Sequence, residues 1–560
     1  MQANNYWSST TNANNPDNAW IVNMWNGNVN NDNKSNNNNY VWPVRSGEWL
    51  PPLFSFENLY RNYLKCRKNK RNTINALKFE INAEEKLLDL SEELQNGTYQ
   101  PARSVCFMVE RPKMREIIAA DFRDRVVHHI LVERLESIFE PVFIYDSYAC
   151  RKDKGLHKAV ERLRGFIRQG SRNGRKRLYF MHLDIKNFFM SIDKEILYRI
   201  LEKKVKDEPV RSLAHTIIFH RPTDHCIIKG KKHLRERIPV QKSLFSAPEN
   251  RGLPIGNLTS QFFANVYLNA LDQFVKHTLK CKYYLRYCDD FLILHESPEF
   301  LTETKKNISG FLSHQLNISL NEKHGSILPV SNGIDFLGYI IREDYLLVRR
   351  RVVNNLREKL EWFHQRLISE HDGLRIIRYD YELINRLRSI IASYFGHLKW
   401  ADSYRLKQII IQRYSFLREY FHFDNDKVIP RNYAIKPTHL FSSVKSQYLH
   451  YANMFKGMFM FFQVGCFFEC YSEIKAEVQN ILGLRSITAR TRPVTYGFPV
   501  KLEKKYAGRL LRKGIPIIII KETERYLGRI KERLPVMKLS NRVSEIQSDR
   551  ESEIERVSVS

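Results

Sequence analysis

The chain lacks any apolar run approaching the span of about 20 residues that a bilayer requires. Met1 to Asn5 offer neither a basic n-region nor an apolar h-region. A membrane protein is therefore not expected, and a cytoplasmic location is. Cysteine is sparse: Cys66, Cys106, Cys150, Cys226, Cys281, Cys288, Cys466 and Cys470 lie mostly singly, without the C-x-x-C pairs of a zinc site, so reduced structural thiols are expected. Acid is in deficit, with 61 Asp and Glu against 90 Lys and Arg. The surplus is spread along the chain instead of packed beside an apolar anchor, which points to a nucleic-acid partner and away from a membrane surface. What the chain does have is size, 560 residues with 43% hydrophobic, enough for several packed cores.

Residues 1–50 form an Asn-rich extension, with 16 asparagines in the first 47 positions, and are expected to be disordered. From 51 to 177 helical spacing and high charge prevail, as in Ala83 to Leu90. A Gly- and Arg-rich stretch, Gly170 to Arg177, then feeds an apolar run from Leu178 to Asp184 that reads as a buried strand. Further strand candidates are Tyr283–Leu294, with two acids at its centre, and Ile334–Ile341. Strands interleaved with helices over 178–345 predict an α+β sheet domain, with an insertion at about 205–250. Helical spacing returns over 346–425, a linker is expected at 426–450 around Pro430 and Pro437, and a compact unit at 451–540. Residues 541–560 read as a disordered tail.

Chemistry is suggested by acids in apolar surroundings. Asp184 closes the run Tyr179–Leu183, and Asp289 and Asp290 sit in Tyr287-Cys288-Asp289-Asp290 between apolar flanks. Carboxylates placed so are costly unless a cation compensates them. Three of them would suit nucleotidyl transfer, in which two divalent ions about 4 Å apart stabilise the attacking 3′ oxygen and the leaving pyrophosphate. A tight hairpin turn with acids facing water is the plainer reading of Asp289-Asp290. The order of motifs argues against it: an acid-bearing strand, a Gly-containing helix start, Tyr-x-Asp-Asp, Leu320-Asn321-Glu322-Lys323 and Phe336-Leu337-Gly338.

That order resembles reverse transcriptases from about Phe54 to Tyr420. The resemblance implies a right-hand polymerase, with fingers in 51–177, a palm in 178–345 built on an antiparallel sheet, and a helical thumb in 346–425. It implies Asp184 and Asp289 as ligands of two Mg2+ ions, Asp290 as a supporting acid and Ile185 as a backbone contact to a metal. Phe189 would be the gate that rejects a ribose 2′ hydroxyl. Lys113, Arg115 and Lys323 would hold the incoming triphosphate, and Arg151 and Lys152 the template backbone. A solvated basic loop is the alternative for Lys113 and Arg115. The implied partners are a template RNA, a DNA or RNA primer and dNTPs.

The helix start departs from most reverse transcriptases. It reads Leu253-Pro254-Ile255-Gly256-Asn257-Leu258-Thr259-Ser260-Gln261, without the usual Gln before the glycine or Pro after the serine. This variant resembles the enzymes of diversity-generating retroelements, which implies error-prone, adenine-mutagenic copying of a template-repeat RNA and a possible accessory variability protein. Ile255, with Gly256, Ser260 and Gln261, would then sit by the nascent pair, where an aliphatic side chain offers the template no hydrogen bond. A neutral packing swap at Ile255 is the alternative. Two rivals remain for the whole chain, a group II intron-like or phage-defence reverse transcriptase without adenine mutagenesis, and a non-catalytic RNA-binding scaffold. No maturase-like DNA-binding segment or His-Asn-His pattern follows the helical region, which counts against the intron type.

The C-terminal unit carries Gly465-Cys466-Phe467-Phe468-Glu469, Tyr496-Gly497-Phe498-Pro499 and Gly514-Ile515-Pro516 followed by four isoleucines. It resembles the mismatch-reading first domain of MutS proteins, a small α/β domain in which the pattern is Gly-x-Phe-Tyr-Glu. The resemblance implies stacking by Phe467 and a base-directed hydrogen bond from Glu469, while core filling is the alternative for Phe467. Phe459 to Glu469 is expected to run strand, turn, helix. The Asn-rich head suggests a translated template repeat, since Asn codons are AAC or AAT and changing their adenines never creates a stop. An ordinary low-complexity extension is the alternative. Deleting residues 1–47 while supplying the template RNA separately is expected to leave primer extension intact, measured against the full chain.

Overall fold

The computed structural model describes residues 52–541 apart from 69–72, 111–113, 231, 439 and 488–493, together with the backbone of four strands between Asn5 and Val41. Those strands, Asn5–Thr11, Asn18–Asn23, Val29–Asn33 and Tyr40–Val41, form one sheet, and the rest of 1–50 lies outside the described residues. Strand formers such as Tyr6, Trp7, Trp20, Ile21 and Val22 are spaced along the head, and asparagine is at home in the turns between strands. The tail expected at 541–560 lies beyond Asn541 and outside the described residues.

The chain divides into two units. The first comprises Met1–Ile144, Ile185–Gln273 and Phe311–Ser319. Its core holds helix Phe122–Phe139, begun by Asp121, whose carboxylate accepts the Arg123 N–H at 3.1 Å. Helix Leu258–Gln273 also lies there, buried on nearly every face, as an apolar helix without a polar side must be. Phe139 and Phe262 meet edge to face at 6.1 Å between ring centres. A three-stranded sheet completes the unit. Val105–Val109 pairs antiparallel with Arg115–Ala119 and parallel with Ile227–Lys229, so the insertion at about 205–250 donates an edge strand.

The second unit comprises Tyr145–Asp184, Phe274–Gly310 and Leu320–Ser560. Its first sheet runs Ile327–Pro329, Tyr179–Leu183, Asp290–His295, Tyr283–Tyr287, antiparallel throughout. Helix Leu156–Gly170 packs Leu163, Phe166 and Ile167 into the same cluster as Phe180, Leu285 and Leu292 of that sheet. The candidate strand Ile334–Ile341 is in fact a hairpin, Ile334–Phe336 and Tyr339–Ile341, turning at Leu337 and Gly338. Gly338 has φ +92°, and a Cβ there would lie 3.3 Å from the His397 ring, so the chain turns where only glycine fits.

The region 346–425 is not purely helical. Between helices Arg350–Leu367 and Tyr381–Leu398 runs a hairpin, Ile368–His371 with Leu374–Arg378, whose second strand pairs antiparallel with Met537–Asn541. A seven-stranded mixed sheet results, and one hydrophobic core runs from Leu356 to Leu539. The expected linker at 426–450 carries the strand Lys427–Pro430 and most of helix Val444–Met454, which opens with a reciprocal Ser443–Ser446 capping box. Phe459–Val464 and Phe467–Cys470 form a hairpin where strand, turn, helix was expected. The segment Phe467 to Cys470 is short, and each of its residues finds a ladder partner in Tyr496–Pro499.

Buried Arg533, 3% exposed, ties this domain together. It donates to the Gln447 side chain at 3.0 Å and to the Gln463 carbonyl at 2.6 Å, and pairs with Glu522. Because sheet and core are shared, ending the chain at residue 440 is expected to expose 350–425 to proteolysis and abolish its cooperative unfolding. Limited digestion and thermal denaturation of the truncated chain check this.

Candidate active site

The hairpin Tyr283–Tyr287 and Asp290–His295 turns through Cys288 and Asp289, with Cys288 at φ +59°. The last ladder pair between Asp290–His295 and Tyr179–Leu183 is Phe291 with Leu183. Asp290 and Asp184 are therefore the next residues on each strand, and both leave the apolar sheet at the same end. Asp289 stands beside them: its carboxyl is pushed up to about 6, chiefly by burial and then by the negative charges of Asp290 and Asp184. The expected convergence of three acids is thus met inside one unit, and the hairpin turn offered as the plainer reading of Asp289-Asp290 is the means of achieving it.

Three side chains that sequence reasoning passed over hold this end of the sheet. Arg286 is fully buried and donates to the Cys288 carbonyl at 3.0 Å and the Ser147 hydroxyl at 3.1 Å, so it fixes the turn. Its signal was a lone cation inside an apolar strand. Asn321 donates to Asp184 Oδ2 at 3.0 Å, while its backbone N–H meets the Asp184 carbonyl at 2.8 Å. His182 Nε2 lies 3.4 Å from Asp290 Oδ1. Among the described residues no lysine or arginine pairs with the three acids. Nor do three His, Cys, Asp or Glu side chains there form a group able to hold a metal ion on their own.

Lys323 is exposed two residues after Asn321, and its N–H meets the Asn321 side chain at 3.3 Å. Arg151 is partly buried and donates to the Ser147 carbonyl at 3.0 Å, and Lys152 is exposed.

In the first unit, Ile185 is buried and Phe189 and Ile255 share an apolar cluster with Ile118, Met190 and Leu244. The loop from Leu253 to Asn257 is pinned at several points. Leu253 N–H donates to the Phe189 carbonyl at 2.8 Å and Ile118 N–H to the Ile255 carbonyl at 2.9 Å. The buried Asn257 side chain accepts the Ala120 N–H at 3.0 Å. Gly256 has φ +123°, and a Cβ there would press to 2.9 Å from Ile117 Cγ2, so a side chain would lift the loop off its strand. Ser260 is buried, Gln261 exposed, and Arg115 exposed on the strand that receives the loop. Lys113 lies outside the described residues.

In the C-terminal domain the strand alternation separates Phe468, buried against Phe461 and Phe498, from Phe467, which is 49% exposed. Glu469 is buried and accepts the Tyr471 hydroxyl. The structure therefore leaves the aromatic ring open to solvent and closes the acid expected to serve beside it.

Residues 109–341 match the reverse transcriptase (RNA-dependent DNA polymerase) family, and residues 442–545 match MutS domain I. Residues 109–341 are thus similar to a reverse transcriptase domain. The group II intron-encoded protein LtrA of Lactococcus lactis subsp. cremoris is similar, 25% identical over 295 residues that cover 51% of this chain and 44% of that protein. Protein YkfC of Escherichia coli (strain K12) is 24% identical over 306 residues, covering 48% of this chain and 75% of YkfC. Nuclear intron maturase 1, mitochondrial, of Arabidopsis thaliana is 24% identical over 325 residues, 44% of each chain. This chain thus spans less than half of the intron-encoded protein and of the maturase. No helix among the described residues is long and apolar enough to cross a membrane.

The raised Asp289 carboxyl sets a pH dependence. Its folded value, about 6, lies above the unfolded value near 3.8, so the folded chain binds the extra proton between these limits and stability falls as pH rises through them. In chelator, Asp289→Asn is expected to match the parent near pH 4 and to exceed it by of the order of 2 kcal/mol above pH 7, measured by urea unfolding across that range.

Proposed function

We propose that the chain is an RNA-directed DNA polymerase that extends a DNA or RNA primer with dNTPs on a template RNA. The observation that carries this is the meeting of Asp184, Asp289 and Asp290 at one sheet end, with the Asp289 carboxyl raised chiefly by burial and then by the charges of the other two. Carboxylate oxygens with no competing lysine or arginine are hard donors that suit Mg2+, which takes one or two carboxylates and completes its shell with water and substrate phosphates. Asp184 and Asp289 would hold the ions, with the backbone carbonyl of Ile185 a further donor. When bound, two such ions supply charge stabilisation for the attacking 3′ oxygen and the pyrophosphate.

The chain's own residues then have distinct tasks. Asn321 holds Asp184 in one orientation, and Arg286 holds the turn that presents Asp289. Phe189 would exclude a 2′ hydroxyl, Arg115, Lys113 and Lys323 would meet the triphosphate, and Arg151 and Lys152 the template backbone. The arrangement corresponds, in this reading, to fingers, palm and thumb. Ile255, clamped through its carbonyl with its side chain in an apolar cluster, would give the template no polar hold. Error-prone copying at template adenines, as in diversity-generating retroelements, is the form of the activity we favour on that ground. The similarity to intron-encoded proteins supports a second reading, a group II intron-like enzyme without that bias.

Primer extension by purified protein on an adenine-containing RNA tests both. Product is expected with Mg2+ present, and a loss of at least about a thousandfold in Asp289→Asn or Asp184→Asn, as befits groups acting on the transition state. Sequenced products with errors concentrated opposite template adenines support the retroelement reading, and errors spread evenly over the template bases support the intron-like one.

A further inference from the structure

The seven-stranded sheet brings two turns to one end. Phe459–Val464 runs parallel to Ile517–Leu527, with Phe459 beside Ile517 and Phe462 beside Ile520. Both strands therefore leave the sheet in the same direction, the first through Gly465-Cys466 into Phe467, the second through Gly528-Arg529 into Ile530. Extending the register places the first turn level with Thr523 and Glu524. The second hairpin continues about three residues further, or roughly 10 Å at strand rise.

The tip of that longer hairpin is basic, aromatic and open. Tyr526 is 62% exposed, and Arg525 and Arg529 are exposed. Among the described residues neither arginine forms an ion pair. The pairing register shifts between Glu522 and Tyr526, an irregularity of the kind that turns a strand end and re-aims its side chains. Below the shift the base is locked. Arg533 pairs with Glu522, and buried Glu532 accepts the Thr523 hydroxyl at 2.8 Å and lies 3.6 Å from Lys436. An exposed phenol ring with one unpaired guanidinium at the preceding residue and another in the turn is not needed for folding, since none of the three side chains contributes to the core.

We infer that this hairpin tip binds single-stranded nucleic acid, with Tyr526 stacked on an unpaired base and Arg525 and Arg529 on the flanking phosphates. Charge complementarity selects the occupant. Two uncommitted guanidiniums on a chain of net charge +29 call for a polyanion, and guanidinium forks match phosphate oxygens. The ring selects an unpaired strand over a duplex, because only an unpaired base offers its face at a protruding tip. Stacking on a phenol ring is tolerant of base identity, since every base has a π face. The inference is independent of the polymerase reading, because the tip is remote in sequence from every residue given a part in that reaction.

The test uses the full chain with an unstructured uridine-rich 20-nucleotide RNA and a duplex of equal length. Ultraviolet cross-linking followed by peptide mapping is expected to mark residues 523–531 with the single strand and not with the duplex. Tyr526→Ala should lower the yield of that cross-link about tenfold or more, the usual scale for losing a stacked base. Tyr526→Phe should retain affinity in anisotropy titrations, and Arg525→Ala with Arg529→Ala should flatten the salt dependence by about one to two ions released. Thermal unfolding at the parent's midpoint verifies that each variant folds. Absence of cross-links in 523–531, equal marking by the duplex, or unchanged affinity and salt slope in the double arginine variant would each overturn the inference. Primer extension by Tyr526→Ala on a short template, expected at the parent's rate, separates this site from the polymerase centre.

Discussion

Like charges set the terms for this molecule. Three carboxylates at one end of an apolar sheet repel one another, and the Asp289 carboxyl is raised first by its loss of water and then by that repulsion. Within the ladder beneath them His182 Nε2 lies 3.4 Å from Asp290 Oδ1. The surroundings hold the acids still: a buried guanidinium grips the turn from within the strand, and an asparagine anchors Asp184 by side chain and backbone together. An arginine aimed at the carboxylates would have relieved the strain and occupied the place a divalent ion needs. Arg286 donates to a carbonyl and a hydroxyl and so braces the loop that presents the acids.

The first unit solves a different problem, that of fixing a loop with few side-chain contacts. Its means are backbone hydrogen bonds, one buried asparagine and a glycine pressed against the receiving strand. Ile255 is thereby positioned through its carbonyl, and its side chain is free to be chosen for packing alone. A position held by the main chain tolerates a change of side chain without loss of the loop's path.

Much of this was legible locally. The strand ending in Asp184 announced itself by an apolar run after a Gly- and Arg-rich break, and the helix from Leu258 by its long apolar sequence. Turns within a motif were read less well. The run Ile334–Ile341 reads as one strand, although Gly338, at φ +92°, marks a bend within it. Burial of Glu469 escaped for the same reason: alternation tells which face a residue occupies, not what covers that face, and Tyr471 covers it. Least legible was the pairing of Leu374–Arg378 with Met537–Asn541. Strand partners far apart in sequence leave no periodic trace, and a short hairpin between two long amphipathic helices is submerged in helical spacing.

That distant pairing changes what the C-terminal domain is. A module joined by a linker could be lost or exchanged with little effect on its neighbour. Here the strand that returns from the Tyr526 tip is itself the partner of the hairpin between helices Arg350–Leu367 and Tyr381–Leu398. Hydrogen-bonded ladders resist shear along the strands because every bond in the register must shift together. Ile530–Asn541 thus joins the tip to Leu374–Arg378 within a single core from Leu356 to Leu539. The C-terminal domain and helices Arg350–Leu367 and Tyr381–Leu398 thus share one sheet and one hydrophobic core.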